Sequence, residues 1–252
     1  MVLPGAVLGL NGATSPNEKL NVAGIGIGGQ GGDDLGHMEA ENIVALCDVD
    51  KNHAAHIFKK YSKAKQFTDY RKMLDEMKEI DGVVVATPDH HHAFASIEAI
   101  KRGKHVYCEK PLTHSVWEAR QVATAAHAAK VVTQMGNQGA SNDGTRLMSE
   151  WYDAGLIGDV HTVYCWTNRP VWPQGIAWPK TKAEVPSTLD WNLWLGNAPY
   201  KDFVDNLVPF NWRGWWDYGT GALGDMGCHL VEAPFRVLDL EYVKDVQVCH
   251  PR

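Results

Sequence analysis

Residues 81–112 read DGVVVATPDHHHAFASIEAIKRGKHVYCEKPL, and this stretch decides the fold. An apolar run at 82–86 predicts a buried strand, a helical pattern follows it, and a second apolar run at 105–108 predicts another strand. Two strands joined by a helix of this length pair in parallel. The second strand leads into Glu109, Lys110 and Pro111. Because parallel sheets bind ligands beyond the carboxyl ends of their strands, Lys110 is the first candidate for chemistry.

The same alternation extends from residue 20 to about residue 134. Apolar runs predict strands at residues 20–25, 43–47, 82–86, 105–108 and 131–133. Helical patterns lie at residues 33–41, 53–61, 70–77, 93–102 and 116–129. Right-handed crossovers between such units give a doubly wound parallel sheet with helices on both faces, which is an α/β fold of the Rossmann type.

The character of the sequence changes after Gly136. Nine of the ten tryptophans fall between Trp151 and Trp216, among many prolines and glycines. Patterns predict strands at 161–167 and 243–249 and a helix at 222–240, and two strands are too few for a stable sheet face. We therefore expect three segments. They are a tail or signal remnant at 1–19, a Rossmann domain at 20–136, and an incomplete α+β domain with a mostly antiparallel sheet at 137–252.

A glycine-rich turn follows the first strand. Residues 24–31 read GIGIGGQG, which fits G-x-G-x-x-G as 24/26/29 or as 26/28/31. We prefer Gly26, Gly28 and Gly31, with Gly29 also in the turn, because the strand then stays apolar up to position 25. These glycines permit a tight turn, approach of a pyrophosphate, and packing of the helix on the sheet. Asp48 ends the second strand 22 residues after Gly26, where a carboxylate suits the ribose diol of NAD and repels the 2′-phosphate of NADP.

The segment after the third long strand carries polar residues at the same edge of the sheet. Those expected to lie along a dinucleotide are Thr87, Pro88 and His90. Asp89 is a good N-cap for the following helix, and capping is the structural alternative for this segment. His92 is a candidate substrate contact, and we expect His91 to face solvent. Consecutive helical residues point about 100° apart, so the three histidines do not predict a metal site.

A second polar cluster occupies residues 212–229, WRGWWDYGTGALGDMGCH. Asp225 and His229 are four residues apart, so they share one helix face at roughly 5–6 Å between Cβ atoms. A histidine titrates near neutral pH and suits a general base, and the carboxylate can orient it or hold a substrate hydroxyl. A surface pair or a helix cap is the alternative. The nearby candidates for sugar contacts are Trp172, Trp178, Trp212, Arg213, Trp215, Trp216 and Asp217, although tryptophans also fill cores.

Two of these motifs resemble a known family. The Glu-Lys-Pro at 109–111 and the Asp-x-x-x-His at 225–229 are similar to motifs of the Gfo/Idh/MocA oxidoreductases, which act on sugars and polyols with a nicotinamide cofactor. The resemblance implies NAD-dependent hydride transfer from a hydroxyl-bearing carbon of such a substrate. It implies that His229 is the base, assisted by Lys110 and Asp225.

The resemblance also implies further contacts and one departure. Glu109 and Lys110 are expected to contact the cofactor. The family has a segment near the nicotinamide where Asn137 and Gln138 stand, so one of them is expected to contact substrate or cofactor, and Gln138 is the candidate substrate contact. Many relatives have Asp where Glu232 stands, which changes hydroxyl recognition. Family members continue past residue 252, so the chain looks truncated at its C-terminus, and a homo-oligomer is then doubtful.

Two rival functions stay open. The first is a glycoside hydrolase or lyase of the same superfamily, which oxidises a sugar transiently and then returns the hydride. The second is a fragment that binds NAD and catalyses nothing. Net accumulation of NADH separates a dehydrogenase from both.

Composition narrows the class of partner. A formal net charge of −6 argues against a nucleic-acid or anionic-membrane surface. Five scattered cysteines, an odd number without a C-x-x-C pair, do not predict a disulfide framework or a zinc site. Residues 1–20 resemble the rear half of a secretory or twin-arginine signal, with a plain tail or a misplaced start codon as alternatives, so both cytoplasm and periplasm remain open.

Overall fold

The computed structural model describes residue 15 and residues 18–249. A six-stranded sheet, in which all strand pairs are parallel, has the order β3-β2-β1-β4-β5-β6. Its strands are β1 (Asn21–Ile25), β2 (Asn42–Cys47), β3 (Lys65–Phe67), β4 (Gly82–Val85), β5 (His105–Glu109) and β6 (Thr133–Gly136). This order is the predicted doubly wound arrangement, and it opens a crevice where the chain reverses between β1 and β4.

Helices connect the strands on both faces of the sheet. They are α1 (Gln30–Gly36), α2 (Ala55–Lys60), α3 (Tyr70–Glu76), α4 (Asp89–Lys101) and α5 (Val116–Ala129). After β6 follow a 3-10 turn (Gln138–Ser141), α6 (Asp143–Asp153), α7 (Trp191–Leu195), a second 3-10 turn (Asn211–Gly214), α8 (Gly221–Leu230) and α9 (Glu232–Val237).

The two faces of the sheet bury separate cores because successive strand residues point to opposite sides. In β4, Val83 and Val85 belong to the core that includes Leu74 of α3. Val84 belongs to the core that includes Ile57 of α2. A strand covered on both sides reads as a continuous apolar run, which is why the strands were predictable from sequence.

Element boundaries follow local chemistry where such chemistry is present. The fifth helix runs over 116–129 as predicted, and Ser115 and Glu118 form a capping box at its start. The helix predicted at 93–102 begins earlier, at Asp89. β3 was missed, because it is a three-residue edge strand of the sequence KQF with little apolar signal.

In the second half of the chain, the predicted strands and the predicted helix both differ from the structure. Residues 161–167 and 243–249 are not strands, and among the described residues after β6 the only ladder contact is an isolated bridge between Asp50 and Leu189. An apolar pattern predicts extended backbone, but a strand also needs a neighbour to share its hydrogen bonds. The helix predicted at 222–240 is two helices that meet at Val231. Nearly all of the predicted 1–19 tail lies outside the described residues.

An aromatic core replaces the expected sheet at the centre of the second half. The rings of Trp191 and Trp194 stack with centroids 4.8 Å apart, and Tyr218 packs edge-on against Trp194 at 4.9 Å. This cluster also buries Trp212 and Phe203. Much of the tryptophan content is therefore structural, which is the alternative reading of its abundance.

The structure also shows whether any helix could span a membrane and whether any cysteines are paired. Within the described ranges, no helix has both the length and the apolar character needed to cross a bilayer. All five cysteines are free thiols, with Cys47 and Cys108 buried and Cys165 and Cys249 exposed.

Candidate active site

A cavity of about 670 Å³ lies at the carboxyl edge of the sheet, between the strand ends and the second half of the chain. Its size falls within the roughly 300–1,000 Å³ of ligand pockets. The predicted site residues that line it are Gly26, Gly28, Gly29, Asp48, Thr87, Pro88, His92, Glu109, Lys110, Gln138, Trp212, Arg213, Asp225 and His229. One continuous space thus joins the glycine turn to the residues of the two catalytic motifs.

The glycine turn has the geometry of the 26/28/31 register. Gly26 has φ +78°, and a Cβ there would lie 2.8 Å from the backbone of Ala86. A Cβ on Gly28 would overlap the ring of His53, and one on Gly31 would overlap the carbonyl oxygen of Gly26. The backbone therefore forms a cradle that side chains would fill, and such a cradle fits a pyrophosphate.

Asp48 stands directly beside this turn. Its Oδ2 accepts the N–H of Gly28 at 3.0 Å, and its Oδ1 accepts the N–H of Asp50 at 2.9 Å. Burial raises the pKa of the carboxyl, and these N–H donors act in the opposite direction. A carboxylate has about four acceptor positions, so it can still accept the two hydroxyls of a ribose. The residues present therefore fit NAD.

Lys110 and Asp225 form an ion pair inside the cavity. Lys110 Nζ donates to Asp225 Oδ1 at 2.9 Å, and the side chains are only 15% and 5% exposed. Arg213 Nε lies 3.5 Å from the same carboxylate oxygen. The Glu-Lys-Pro motif at the end of β5 therefore meets the Asp-x-x-x-His motif on α8. We call Lys110, Asp225 and His229 the catalytic corner.

His229 is the residue of this corner whose side chain has no hydrogen-bond partner among the described residues. The carboxylate of Asp225 engages Lys110 and Arg213 instead of orienting the imidazole. Burial lowers the pKa of His229, and the charge of Lys110 lowers it further, so the ring is neutral at pH 7. The backbone beside it is held by Asn137, whose Nδ2 donates to the carbonyl of Cys228 at 2.7 Å.

Glu109 lies at the wall between the two ends of the cavity. It is 4% exposed, accepts a hydrogen bond from Gln138 Nε2, and has the hydroxyl of Tyr107 at 3.5 Å. Burial raises the pKa of Glu109 to about 7, with Asp34 adding to the effect. The amide of Gln138, a candidate substrate contact, is thus used in part to hold this carboxyl group.

His92 is a structural link, which corrects its assignment as a substrate contact. Its Nδ1 donates to the carbonyl of Pro111 at 2.6 Å and its Nε2 donates to the carbonyl of Thr87 at 2.7 Å. Both nitrogens are used, and the residue is 1% exposed. Burial disfavours its charged form, but Cys108, Asp89 and these acceptors outweigh that effect and raise the pKa of His92 to about 10. An imidazolium supplies both donors.

The neighbouring histidines are also buried by the aromatic core. His90 is 2% exposed and its ring nitrogens contact the carbonyls of Tyr218 and Trp194, so it is not available to a cofactor. His91 is 8% exposed with Nε2 bonded to Trp194, which corrects the expectation of a solvent-facing ring. Both histidines are buried because the second half of the chain packs over the start of α4.

Asp89 also serves this packing. Its Oδ2 accepts both the N–H and the hydroxyl of Thr220, at 2.9 and 2.8 Å, just before α8 begins. It is the first residue of α4 and not the predicted N-cap. The contact ties the start of α4 to the start of the helix that carries Asp225 and His229.

Only some of the residues predicted to contact a sugar line the cavity. Arg213 lines the cavity, and Trp212 lines it too, although its indole N–H donates to Pro209 at 2.9 Å. Trp215 packs edge-on against Trp178 at 5.4 Å, and Asp217 forms an ion pair with Lys201. These last contacts are structural, and neither Trp215 nor Asp217 is among the residues that line the cavity. Trp172 is buried and Trp216 is 70% exposed near His114.

Two residues of the cavity wall were missed by sequence reasoning. His53 lies against Gly28 in the glycine turn, and Arg169 lies near His229 and Arg213. Residues 160–172 have no regular structure, so no periodic pattern marks Arg169. Among the described residues, no group of three or more His, Cys, Asp or Glu side chains could hold a metal ion.

Comparison with known families adds an independent observation. Residues 20–137 match a family model described as an oxidoreductase family with an NAD-binding Rossmann fold. Residues 154–249 match a second model, described as the C-terminal alpha/beta domain of an oxidoreductase family. The two matches cover most of the chain and fall on the two parts that line the cavity.

Individual relatives and solved structures also match this chain. Inositol 2-dehydrogenase of Salmonella paratyphi B is 27% identical over 187 residues, which is 70% of this chain and 54% of the relative. The structure of myo-inositol 2-dehydrogenase from Lactobacillus plantarum matches with a TM-score of 0.52 and 26% identity, over 56% of this chain and 43% of that one. GenD2 from gentamicin A biosynthesis, in complex with NAD, matches with a TM-score of 0.50 and 28% identity, over 55% and 40%. The chain spans about half the length of the first of these.

Proposed function

The chain belongs to the Gfo/Idh/MocA oxidoreductase family, whose first domain is an NAD-binding Rossmann fold, and from this premise we propose that it oxidises a hydroxyl group of a sugar or polyol. Sugar and polyol dehydrogenases among its relatives support the substrate class.

One observation carries the proposal: the ion pair of Lys110 with Asp225. It joins two motifs that are 115 residues apart in the chain, in a cavity that also contains the glycine turn. Structural ion pairs are common at protein surfaces, but this one is nearly buried and has an uncommitted histidine beside it. A histidine whose pKa is lowered by burial, such as His229 in this cleft, is typical of catalytic sites.

Each residue of the catalytic corner then has a distinct task. The ammonium of Lys110 donates a hydrogen bond to the substrate hydroxyl, which makes that hydroxyl easier to deprotonate. His229, neutral at pH 7, accepts the proton at a free ring nitrogen. Asp225 fixes the position of Lys110 through the 2.9 Å contact. NAD, when bound, supplies the hydride acceptor, and the chain supplies position and charge.

The experiment that tests this proposal is a screen of sugars and polyols for reduction of NAD⁺. With an active substrate, Lys110→Ala should lower kcat/KM by at least about 100-fold, the usual effect of a positioned acid–base group. Lys101→Ala is the matched control, because Lys101 is a lysine 64% exposed on the surface of α4.

Three outcomes would contradict the proposal. Full activity in Lys110→Ala would remove the catalytic corner from the mechanism. Cleavage of a glycoside without accumulation of NADH would favour the redox-assisted hydrolase. Binding of NADH without turnover of any compound in the screen would favour a chain that binds the cofactor only.

A further inference from the structure

Positive charge is concentrated at the substrate end of the cavity. Lys110, Arg169 and Arg213 all line this part of the wall, together with His229. Asp225 is the carboxylate that Lys110 and Arg213 share. Lys110 lies 2.9 Å and Arg213 lies 3.5 Å from its Oδ1. We call Arg169 and Arg213 the arginine pair.

Arg169 has no carboxylate partner in the described part of the chain. It forms no ion pair there, and its one hydrogen bond is a backbone contact to the hydroxyl of Thr167 at 3.2 Å. Its guanidinium is nevertheless close enough to Arg213 and His229 for its charge to act on both. Lys110 and Arg213 therefore share the carboxylate of Asp225, and Arg169 adds a positive charge that no ion pair of the described residues offsets.

Two further carboxyl groups, Asp89 and Glu109, line the cavity, and each is held by a hydrogen bond from another residue. Asp89 is 2% exposed and is held by both donors of Thr220. Glu109 is held by Gln138, and burial raises its pKa to about 7, which favours its neutral form. The charge of Asp89 still acts on Arg213. Among the described residues, Arg169 is thus the cation of this wall that has no carboxylate partner.

Arg213 is also held in a fixed orientation. Its guanidinium lies over the rings of Trp212 and Phe210, at 4.3 and 4.7 Å from their centroids, and Nη1 donates to the carbonyl of Phe210 at 3.1 Å. A planar guanidinium held in this way has lost most of its side-chain entropy before a ligand arrives. Its remaining donors are therefore prepared for a charged acceptor that offers two oxygen atoms.

We propose that the substrate is an acidic sugar or polyol, one that carries a carboxylate or phosphate group bound by the arginine pair while a hydroxyl lies at the catalytic corner. The proposal rests on the proposed function and narrows its substrate class. Arginine recognises both carboxylates and phosphates through paired N–H donors. An anion here also offsets the mutual repulsion of Arg169 and Arg213.

The test measures binding to the 252-residue chain saturated with NADH, by titration calorimetry. The probes are matched sets with one stereochemistry each: D-glucose, D-glucuronate and D-glucose 6-phosphate, with the corresponding galactose and mannose sets. We expect an acidic member to bind at least about ten-fold more tightly than its neutral partner, which corresponds to about 1.4 kcal/mol. The carboxylate and phosphate arms identify which anion is preferred.

Variants of Arg169 assign that preference to the arginine pair. Arg169→Gln should reduce the ratio between acidic and neutral ligands to near unity, and Arg169→Lys, which keeps the charge, should retain part of it. Arg146→Gln, on the exposed surface of α6, is the control and should leave the ratio unchanged. Circular dichroism of each variant checks that it is folded.

Several results would overturn the inference. They are equal affinity for neutral and acidic members, a preference that survives Arg169→Gln, or no acidic member that binds. Saturable binding of NADH in the same preparations keeps these failures separate from failure of the proposed function. A folded chain that does not bind NADH would overturn both.

Discussion

At the residue scale, the pairing of Lys110 with Asp225 is what sequence reasoning did not foresee. Each residue was predicted from its own motif, but the motif pattern placed Asp225 beside His229 and not beside Lys110. The spacing of four residues fixes a shared helix face, whereas it does not fix which partner a carboxylate takes. That choice depends on where β5 ends relative to α8, which is a long-range property of the fold.

The titration of His229 gives a prediction at the same scale. Because burial and Lys110 lower its pKa, the neutral base persists to lower pH than for an exposed histidine. We expect kcat/KM for oxidation to rise with pH along an acid limb whose midpoint lies below about 6.5, the ordinary histidine value. A pH profile measured with a saturating concentration of NAD⁺ gives this midpoint.

Substitution identifies the group responsible for the limb. His229→Gln should remove it and lower kcat/KM by about 100-fold or more. His127→Gln, an exposed histidine on α5, should behave as the wild type. An unchanged limb in His229→Gln would show that another group is the base.

At the element scale, the glycine turn was predictable because its chemistry is local. The strand before it, the glycine spacing and the position of Asp48 all lie within about thirty residues of sequence. The two possible registers could be ranked from the apolar pattern, and the positive φ of Gly26 supports the preferred one. By contrast, the ends of α8 and α9 depend on a break at Val231 that the apolar pattern did not reveal.

Tight packing in the turn gives a second prediction. A Cβ at Gly31 would overlap the carbonyl oxygen of Gly26, so Gly31→Ala should lower the free energy of unfolding by about 1–3 kcal/mol. Gly36→Ala is the matched control in the same helix. Its Cβ would meet only the flexible end of Lys60 at 3.7 Å, and alanine favours the helix by about 0.5–1 kcal/mol. Urea unfolding measures both, and equal stability of the two variants would contradict the packing described.

The link made by His92 gives a third prediction, because it joins the turn after β4 to the turn after β5. The pKa of His92 is raised to about 10 in the folded chain, so its contribution to stability is complete below about pH 6.5. That contribution is lost as pH rises from about 6.5 to about 10. In His92→Asn one amide can reach only one of the two carbonyls, of Thr87 or of Pro111.

The measurement is the difference in unfolding free energy between wild type and His92→Asn across this pH range. The difference should be largest near pH 6 and should shrink as pH approaches 10. His127→Asn, on the exposed surface of α5, corrects for general effects of losing a histidine. A difference that is constant with pH would mean that His92 is neutral in the folded chain.

At the scale of the whole molecule, most strands and helices of the first domain were predicted from the sequence, whereas the structure of the second half was not. Strands buried on both faces leave a continuous apolar signal, and helices between them leave a period of 3.6 residues. The second half is organised instead by long-range contacts, such as Trp194 with His90 and Asp89 with Thr220. Such contacts have no periodic signature, so the strands predicted there were wrong and the burial of His91 was not foreseen.

These long-range contacts matter because they close the cavity. Only when the second half packs over α4 do Asp225, His229 and Arg213 face Lys110 and the glycine turn. We propose that a single cavity holds NAD at the glycine turn and a sugar or polyol at the catalytic corner.

Titration with NADH tests most directly whether this cavity holds the cofactor, and energy transfer from tryptophan to nicotinamide reports the binding. The wild-type chain should bind NADH saturably, and Asp48→Ala should weaken binding by about ten-fold or more through loss of the ribose contact, about 1.4 kcal/mol. Asp75→Ala, a surface carboxylate that is 60% exposed, should bind as the wild type does. A folded chain that shows no saturable signal, or equal affinity in Asp48→Ala, would contradict the account.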